Sequence, residues 1–123
     1  MLALDAARQG MVLLDNKGAL PLSRNNTKNL AIIGPNDNVT ITIINNYVGI
    51  LCKYTTLQGL QKYTKFDIIY EVGYQFVNCT DKSLIKAVTM VAPIVDVVVL
   101  VVGKDQSIES ENYGKEFLIW LGF

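Results

Sequence analysis

The sequence predicts an α/β fold, in which helices cover a parallel β-sheet. Three apolar runs, at residues 30–34, 67–71 and 97–102, are rich in β-branched residues, and helical or mixed segments separate them. Such runs lack the polar alternation of half-exposed strands, and they are typical of strands buried on both faces in parallel sheets. With 123 residues, the chain is long enough for one domain with a workable core.

The N-terminal segment LALDAARQGMVLLDN predicts a helix. It places Leu4, Ala7, Met11 and Leu14 at helical spacing. Glycine inside a helix costs roughly 1 kcal/mol relative to alanine, so we expect Gly10 to permit close packing against another element. The glycine and proline of NKGALPLS then end the pattern.

The remaining elements follow from short patterns. LAII reads as a strand that ends at the Gly-Pro of GPND, TTLQGLQKY as one or two helical turns, and DIIYE as a second strand. NVTITIINNY has strand-like composition between loop signals and stays unassigned. TDKSLIKAVTMVAP predicts a helix capped by Thr80 and Asp81 and closed by Pro93. Its apolar face is formed by Leu84, Val88 and Val91. DVVVLVVG follows as a third strand, apolar on both faces.

Composition excludes several classes of function. Basic and acidic residues number 11 each, so we expect no nucleic-acid partner and no anionic membrane surface. The absence of histidine excludes histidine triads and most zinc sites, and we expect no metal and no cofactor. The longest apolar stretch, 97–102, is far shorter than the roughly 20 residues of a membrane span. Asp5 and Arg8 interrupt the region where a signal peptide would be apolar, so we expect no export signal in this sequence.

Two other features point to a secreted parent protein. Cys52 and Cys79 are the only cysteines; they could form a disulfide worth roughly 3.5 kcal/mol, or remain two buried thiols. Three glycosylation sequons, at Asn25, Asn38 and Asn78, lie in loop-like contexts.

The segment VVVLVVGKDQSIESE joins the third strand to an acidic loop. Asp105, Glu109 and Glu111 follow the carboxyl end of the strand, which is the sheet edge where α/β proteins bind ligands. GKDQS is not a P-loop, because valine occupies position 98, and the carboxylate spacing does not match a calcium loop. Spacing alone favours a solvated loop, although partial burial can raise the pKa of a glutamate enough for proton donation.

Four segments together resemble glycoside hydrolase family 3, in its plant β-D-xylosidase and α-L-arabinofuranosidase branch. They are LALDAARQGMVLLDNKGALPLS, LAIIGPNDNVT, NNYVGILCKYTTLQGL and VVVLVVGKDQSIESE, which span nearly all of residues 2–111. The resemblance implies a (β/α)8-type barrel followed by an α/β sandwich. We therefore expect residues 1–22 to be a linker helix from the barrel and 23–111 to be the first half of the sandwich. Residues 112–123, where the likeness ends, are expected to be a divergent tail.

The same resemblance implies a retaining hydrolysis by two carboxylates, roughly 5–5.5 Å apart. An aspartate of the barrel is the nucleophile and a glutamate of the sandwich loop is the acid/base. Matching the motif assigns the acid/base role to Glu109, with Glu111 as the second candidate. Asp105 and Gln106 fall on motif positions that fit loop shaping or sugar contact.

The expected parent is an extracellular cell-wall enzyme that removes terminal β-xylosyl or α-arabinosyl residues from xylan or arabinoxylan oligosaccharides. We expect this chain to be a fragment, inactive alone because the nucleophile belongs to the barrel. We also expect the third strand to lie at an open sheet edge, which favours aggregation. The alternative is a non-catalytic carbohydrate-binding or interaction module. A nucleotide-binding α/β domain is a third reading, resting on fold analogy alone.

Overall fold

The computed structural model describes residues 2–40, 54–77 and 79–108. The last seven residues of NVTITIINNY, 41–47, therefore lie outside the described residues. The elements are, in chain order, α1 (Leu2–Gly10), β1 (Asn29–Ile33), α2 (Thr56–Tyr63), β2 (Asp67–Glu71), α3 (Ile85–Val91), a 3-10 helix (Ala92–Ile94) and β3 (Val97–Leu100). The predicted α/β class is confirmed.

The three strands form a parallel sheet in the order β2-β1-β3. Leu30 in the centre pairs with Ile68 on one side and with Val97 on the other. All three predicted strands are present, although β3 ends two residues earlier than expected. The ladder continues one residue past β3, because the Val101 N–H donates to the Ile33 carbonyl at 2.8 Å.

The two faces of the sheet carry different helices. Leu57 of α2 packs on Leu30 and Ile32, and these three side chains form the buried core cluster. On the opposite face, Val88 of α3 lies next to Ile33 of β1, close to the Cβ position of Gly73. The chain passes from β1 to β2 on one side of the sheet and then returns past β1 to β3 on the other side. Right-handed crossovers that run in opposite directions place their helices on opposite faces.

A capping box starts α2. The Gln58 N–H donates to the Thr55 hydroxyl at 3.1 Å, and the Thr55 N–H donates to the Gln58 side-chain oxygen at 3.1 Å. The T-x-x-Q spacing is a helix-start signature that could have located the beginning of α2 from sequence. The helix has eight residues, which agrees with the expected one or two turns.

The predicted cap of α3 is wrong. The helix begins at Ile85, after the N-cap residue Leu84, whose side chain makes no capping hydrogen bond. The Asp81 carboxylate instead accepts the Ser83 N–H at 2.8 Å and the Ser83 hydroxyl at 3.0 Å. These bonds hold the pKa of Asp81 below its usual value. Asp81 therefore shapes the turn ahead of the helix, a local bond that competes with capping.

The expected extension and packing of the N-terminal helix are also wrong. α1 ends at Gly10, and residues 11–14 are non-helical and exposed. A Cβ added at Gly10 would meet nothing within 4 Å, so close packing does not explain this glycine. No α1 residue is buried against the described parts of the chain. A glycine that ends a helix is favoured by its backbone freedom.

β3 departs from the expectation of burial on both faces. Its residues alternate between half-buried and exposed, and Leu100 is 64% exposed. Within the described residues, β3 lies at the edge of the sheet, as expected. On the face of the sheet that carries α3, Leu100 and Val102 line a cavity, and no described helix covers them.

Candidate functional site

The candidate site lies at the carboxyl edge of the sheet, where the loops after β1 and β3 meet. Gly34 follows β1 with a φ of 151°, and a Cβ there would lie 2.0 Å from the Val101 carbonyl oxygen. Only glycine lets the two loops approach this closely. The Gly34 N–H also donates to the Glu71 carbonyl at 3.2 Å, which ties the same position to the end of β2.

Asn36 connects the two loops directly. Its side-chain amide donates to the Gly103 carbonyl at 3.1 Å, across 67 positions of sequence. The expected placement of the GKDQS loop at the carboxyl edge of the sheet agrees with this geometry. Sequence reasoning did not identify Asn36 as the connecting residue. An asparagine two positions after the strand-ending glycine could have signalled it, because asparagine often bonds backbone groups in turns.

Asp105 organises the acidic loop. Its carboxylate accepts the Ser107 N–H at 3.0 Å and also the Ser107 hydroxyl, and its backbone carbonyl accepts the Ile108 N–H at 3.1 Å. This turn of residues 105–108 sets the path of the chain up to Ile108, and Glu109 is the next residue in the sequence. Gln106 is half-buried in the same turn. The contacts of Asp105 are of the loop-shaping kind.

The other sequence-predicted sites are only partly covered by the structure. Glu109, Glu111, Cys52 and Asn78 lie outside the described residues. Asn25 and Asn38 are both exposed, and their glycosylation stays a prediction.

Cys79 is half-buried as a free thiol, and its S–H points to the Asp81 carbonyl at 4.0 Å. Its proposed partner, Cys52, is not described, so the pairing of the two also stays a prediction.

An apolar cavity of about 330 Å³ lies beside the acidic loop, on the α3 face of the sheet. β1, β3 and α3 form its floor and one side, and Gly103, Lys104 and Ile108 of the loop form another. Its apolar lining includes Ile33, Phe76, Ile85, Val88, Leu100 and Val102. Tyr74, Cys79 and Lys104 are the polar side chains of this otherwise apolar lining, so the cavity is better suited to apolar groups than to a sugar ring, which requires several polar partners.

Asp37 is a buried carboxylate that the sequence did not single out. It lies in the loop after β1, and its backbone carbonyl accepts the Leu57 N–H at 3.0 Å at the start of α2. Neither side-chain oxygen meets hydrogen-bond geometry with any described group, although the side chain is 0% exposed. Burial raises the pKa of Asp37, and the nearby Tyr70 hydroxyl offsets part of the increase.

Two further properties bear on function. In residues 2–40, 54–77 and 79–108, no three carboxylates or thiols lie close enough to hold a metal ion. None of the helices in those ranges has the length and apolar character required to cross a bilayer.

Comparisons with known proteins identify relatives of the whole chain. Residues 11–119 match the family described as the glycosyl hydrolase family 3 C-terminal domain. Beta-D-xylosidase 3 of Arabidopsis thaliana is 52% identical over 116 residues, covering 93% of this chain and 14% of the relative. Beta-xylosidase/alpha-L-arabinofuranosidase 2 of Medicago sativa subsp. varia is 45% identical, covering 93% and 15% respectively.

A solved structure has the same fold. The exo-beta-xylosidase XlnD, in complex with a xylobiose aziridine activity-based probe, superposes with a TM-score of 0.87 at 32% identity. The match covers 98% of this chain and 16% of that protein. The chain therefore spans roughly one-seventh to one-sixth of the length of these relatives.

Proposed function

This chain belongs to glycosyl hydrolase family 3, to the C-terminal domain of that family, and from this membership we propose that it carries the acid/base loop of a retaining β-xylosidase. The observation that carries the proposal is the Asp105 turn, built at the carboxyl edge of a family 3 domain and immediately followed by Glu109. Ligand sites of parallel α/β sheets lie at this edge.

The loop is held in place before Glu109 is reached. Asn36 bonds the Gly103 carbonyl, and Asp105 closes the turn that ends at Ile108. An acid/base group must stay within hydrogen-bond reach of the glycosidic oxygen, and a restrained loop reduces the entropy lost in positioning it. These contacts support Glu109 as the acid/base group, with Glu111 as the second candidate.

The proposed chemistry needs two carboxyl groups. Protonated Glu109 donates its proton to the leaving oxygen while a carboxylate of the barrel domain attacks the anomeric carbon and forms a glycosyl-enzyme bond. Deprotonated Glu109 then removes a proton from a water molecule as its oxygen attacks the anomeric carbon and displaces the barrel carboxylate, which restores both groups. Asp105 is assigned to shaping the loop, and Gln106 to the sugar-facing side of the same turn.

The proposed substrates are terminal β-xylosyl and α-arabinosyl residues of xylan-type or arabinoxylan-type oligosaccharides. The printed names of the relatives, beta-D-xylosidase and beta-xylosidase/alpha-L-arabinofuranosidase, support this class. The xylobiose probe bound to XlnD supports a xylo-oligosaccharide in particular. Exposed Asn25 and Asn38, both in sequons, support a parent enzyme that passes through the secretory pathway to the cell wall.

We expect the 123-residue polypeptide on its own to be inactive, because the resemblance assigns the nucleophile to the barrel. Purified protein should release no nitrophenol from a nitrophenyl β-xyloside above the level of its Glu109→Gln variant. The variant is the matched control, since it differs by one proton-transfer group. Release by the unmodified chain that disappears in Glu109→Gln would contradict this part of the proposal.

A further inference from the structure

Asp37 is a fully buried carboxyl group to which the proposed mechanism gives no role. Its side chain is 0% exposed, and neither oxygen meets hydrogen-bond geometry with any described group. Ionisation in such a position is unfavourable, because the charge leaves water without gaining a full set of hydrogen bonds. The fold therefore favours the neutral carboxyl group over the carboxylate at this position.

The described groups that act on the Asp37 carboxyl are neutral. Tyr70 of β2 is the titratable side chain that faces it, and the N–H groups of Asp37 and Asn38 lie near its oxygens. Glu71, the next residue of β2, is negative and acts on Tyr70. The first turn of α2, TLQG, is uncharged, and its Leu57 N–H donates to the Asp37 carbonyl at 3.0 Å.

Asp37 lies next to a contact that holds the acidic loop. The side-chain amide of the preceding residue, Asn36, donates to the Gly103 carbonyl at 3.1 Å, and Gly103 begins the loop that leads to Glu109. Asp37 and Asn36 share one planar peptide unit, so a backbone movement that brings the Asp37 carboxylate to water also displaces Asn36. Ionisation of Asp37 is thereby coupled to the contact between Asn36 and Gly103.

We propose that Asp37 is a proton-dependent positioning residue for the loop of residues 103–108. While Asp37 is neutral and buried, Asn36 stays bonded to the Gly103 carbonyl and the loop is held. When Asp37 ionises, the segment of residues 36–38 opens toward water and releases that contact. The catalytic consequence rests on the acid/base role proposed for Glu109, whereas the opening itself is a property of this chain and is measured without substrate.

The direction of the effect follows from proton linkage. Burial raises the pKa of Asp37, so the closed form binds the proton more tightly than the open form does. Between the ordinary pKa of an aspartate in the open form and the raised pKa of the closed form, opening releases a proton. Across that interval the ratio of open to closed molecules should rise by up to about tenfold per pH unit, and above it the ratio should stay constant.

Hydrogen exchange in the full chain, followed by NMR from acid to neutral pH, measures this opening. The reporters are the Leu57 N–H and the Asn36 side-chain amide, whose rates are corrected for the intrinsic pH dependence of exchange. Their protection should fall by up to about tenfold per pH unit across the same interval. The backbone N–H groups of β1, in the centre of the sheet, should stay more strongly protected, because local opening requires less free energy than global unfolding.

Asp37→Asn is the decisive variant, because it keeps the shape of the neutral carboxyl group and cannot ionise. The pH dependence of both reporters should be absent in it. Asp15→Asn is the matched control, since Asp15 is an exposed aspartate outside the sheet, and the pH dependence should remain. Asp37→Ala replaces Asp37→Asn if circular dichroism shows that the latter does not fold.

Three results would overturn the proposal. Retention of the pH dependence in the Asp37 variant would assign the opening to another group. A response of Leu57 without a response of the Asn36 side chain would show that the contact with Gly103 is independent of Asp37. Equal protection of both reporters and of β1 at every pH would show that Asp37 reaches water only by global unfolding.

Discussion

Among the residues that the structure describes, Asp37 is an aspartate whose environment opposes its ordinary ionisation. Its side chain is fully buried, and neither oxygen meets hydrogen-bond geometry with the described residues. A buried carboxylate that lacks full hydrogen bonding costs up to about 1–3 kcal/mol, and the nearby Tyr70 hydroxyl and Asn38 N–H recover part of that cost here. We expect Asp37→Ala to raise the free energy of unfolding at neutral pH by an amount in that range, measured by urea denaturation. Asp67→Ala is the control, because Asp67 is exposed at the start of β2.

The pH dependence of the stability difference between Asp37→Ala and the unmodified protein tests the direction of the Asp37 pKa shift. The pKa of Asp37 is raised in the folded state, so the folded protein binds the proton more tightly than the unfolded chain. The resulting stabilisation is complete below the unfolded pKa and is lost as pH rises through the folded pKa. The advantage of Asp37→Ala should therefore grow from acid to neutral pH. An advantage that is largest in acid would contradict the assigned direction.

At the scale of elements, Gly34 holds the ends of β1 and β3 together. Any side chain there would collide with the Val101 carbonyl, at 2.0 Å from the added Cβ. We expect Gly34→Ala to lower the free energy of unfolding by about 3 kcal/mol or more, through steric clash and backbone strain. Thermal unfolding followed by circular dichroism measures the loss.

Gly59 is the matched control for that change. It lies inside α2, and an added Cβ meets nothing within 4 Å. Gly59→Ala should therefore stabilise the protein by about 0.5–1 kcal/mol, the usual gain for alanine in a helix. Equal effects of the two substitutions would show that the contact between Gly34 and Val101 does not limit the approach of the loops.

Local sequence patterns predicted the strands and helices better than they predicted the contacts between them. Runs such as VVVL and DIIYE carry enough β-branched character to identify strands without any knowledge of their neighbours. The burial of β3 could not be predicted from residue type, since Leu100 is apolar and yet 64% exposed in the fold. The loop contact between Asn36 and Gly103 joins positions 67 apart, so no local window contains it. The predicted cap of α3 was wrong for a local reason, because Asp81 accepts a hydrogen bond from Ser83, only two residues away.

At the scale of the whole molecule, the described residues cover one face of the sheet and leave the other face partly open. α2 completes the core on one face, whereas Leu100 and the cavity remain open on the α3 face. The candidate site lies at the carboxyl edge of the sheet, and the loop that precedes Glu109 borders the cavity through Gly103, Lys104 and Ile108. The location of this loop followed from the parallel topology, but the role of Glu109 came only from family resemblance, because spacing alone favours a solvated glutamate.

The central claim, that Glu109 is an acid/base group, is tested most directly in a hybrid enzyme. In this hybrid, the chain replaces the matching 116 residues of Arabidopsis beta-D-xylosidase 3. We expect Glu109→Ala to reduce hydrolysis of xylobiose by about 10²–10⁴-fold, the usual contribution of a general acid. Hydrolysis of a dinitrophenyl β-xyloside, whose leaving group needs no proton, should have its first step largely preserved, and azide should restore turnover by forming β-xylosyl azide. Glu111→Ala should show neither effect, whereas xylobiose turnover retained in Glu109→Ala, or azide rescue confined to Glu111→Ala, would contradict the claim.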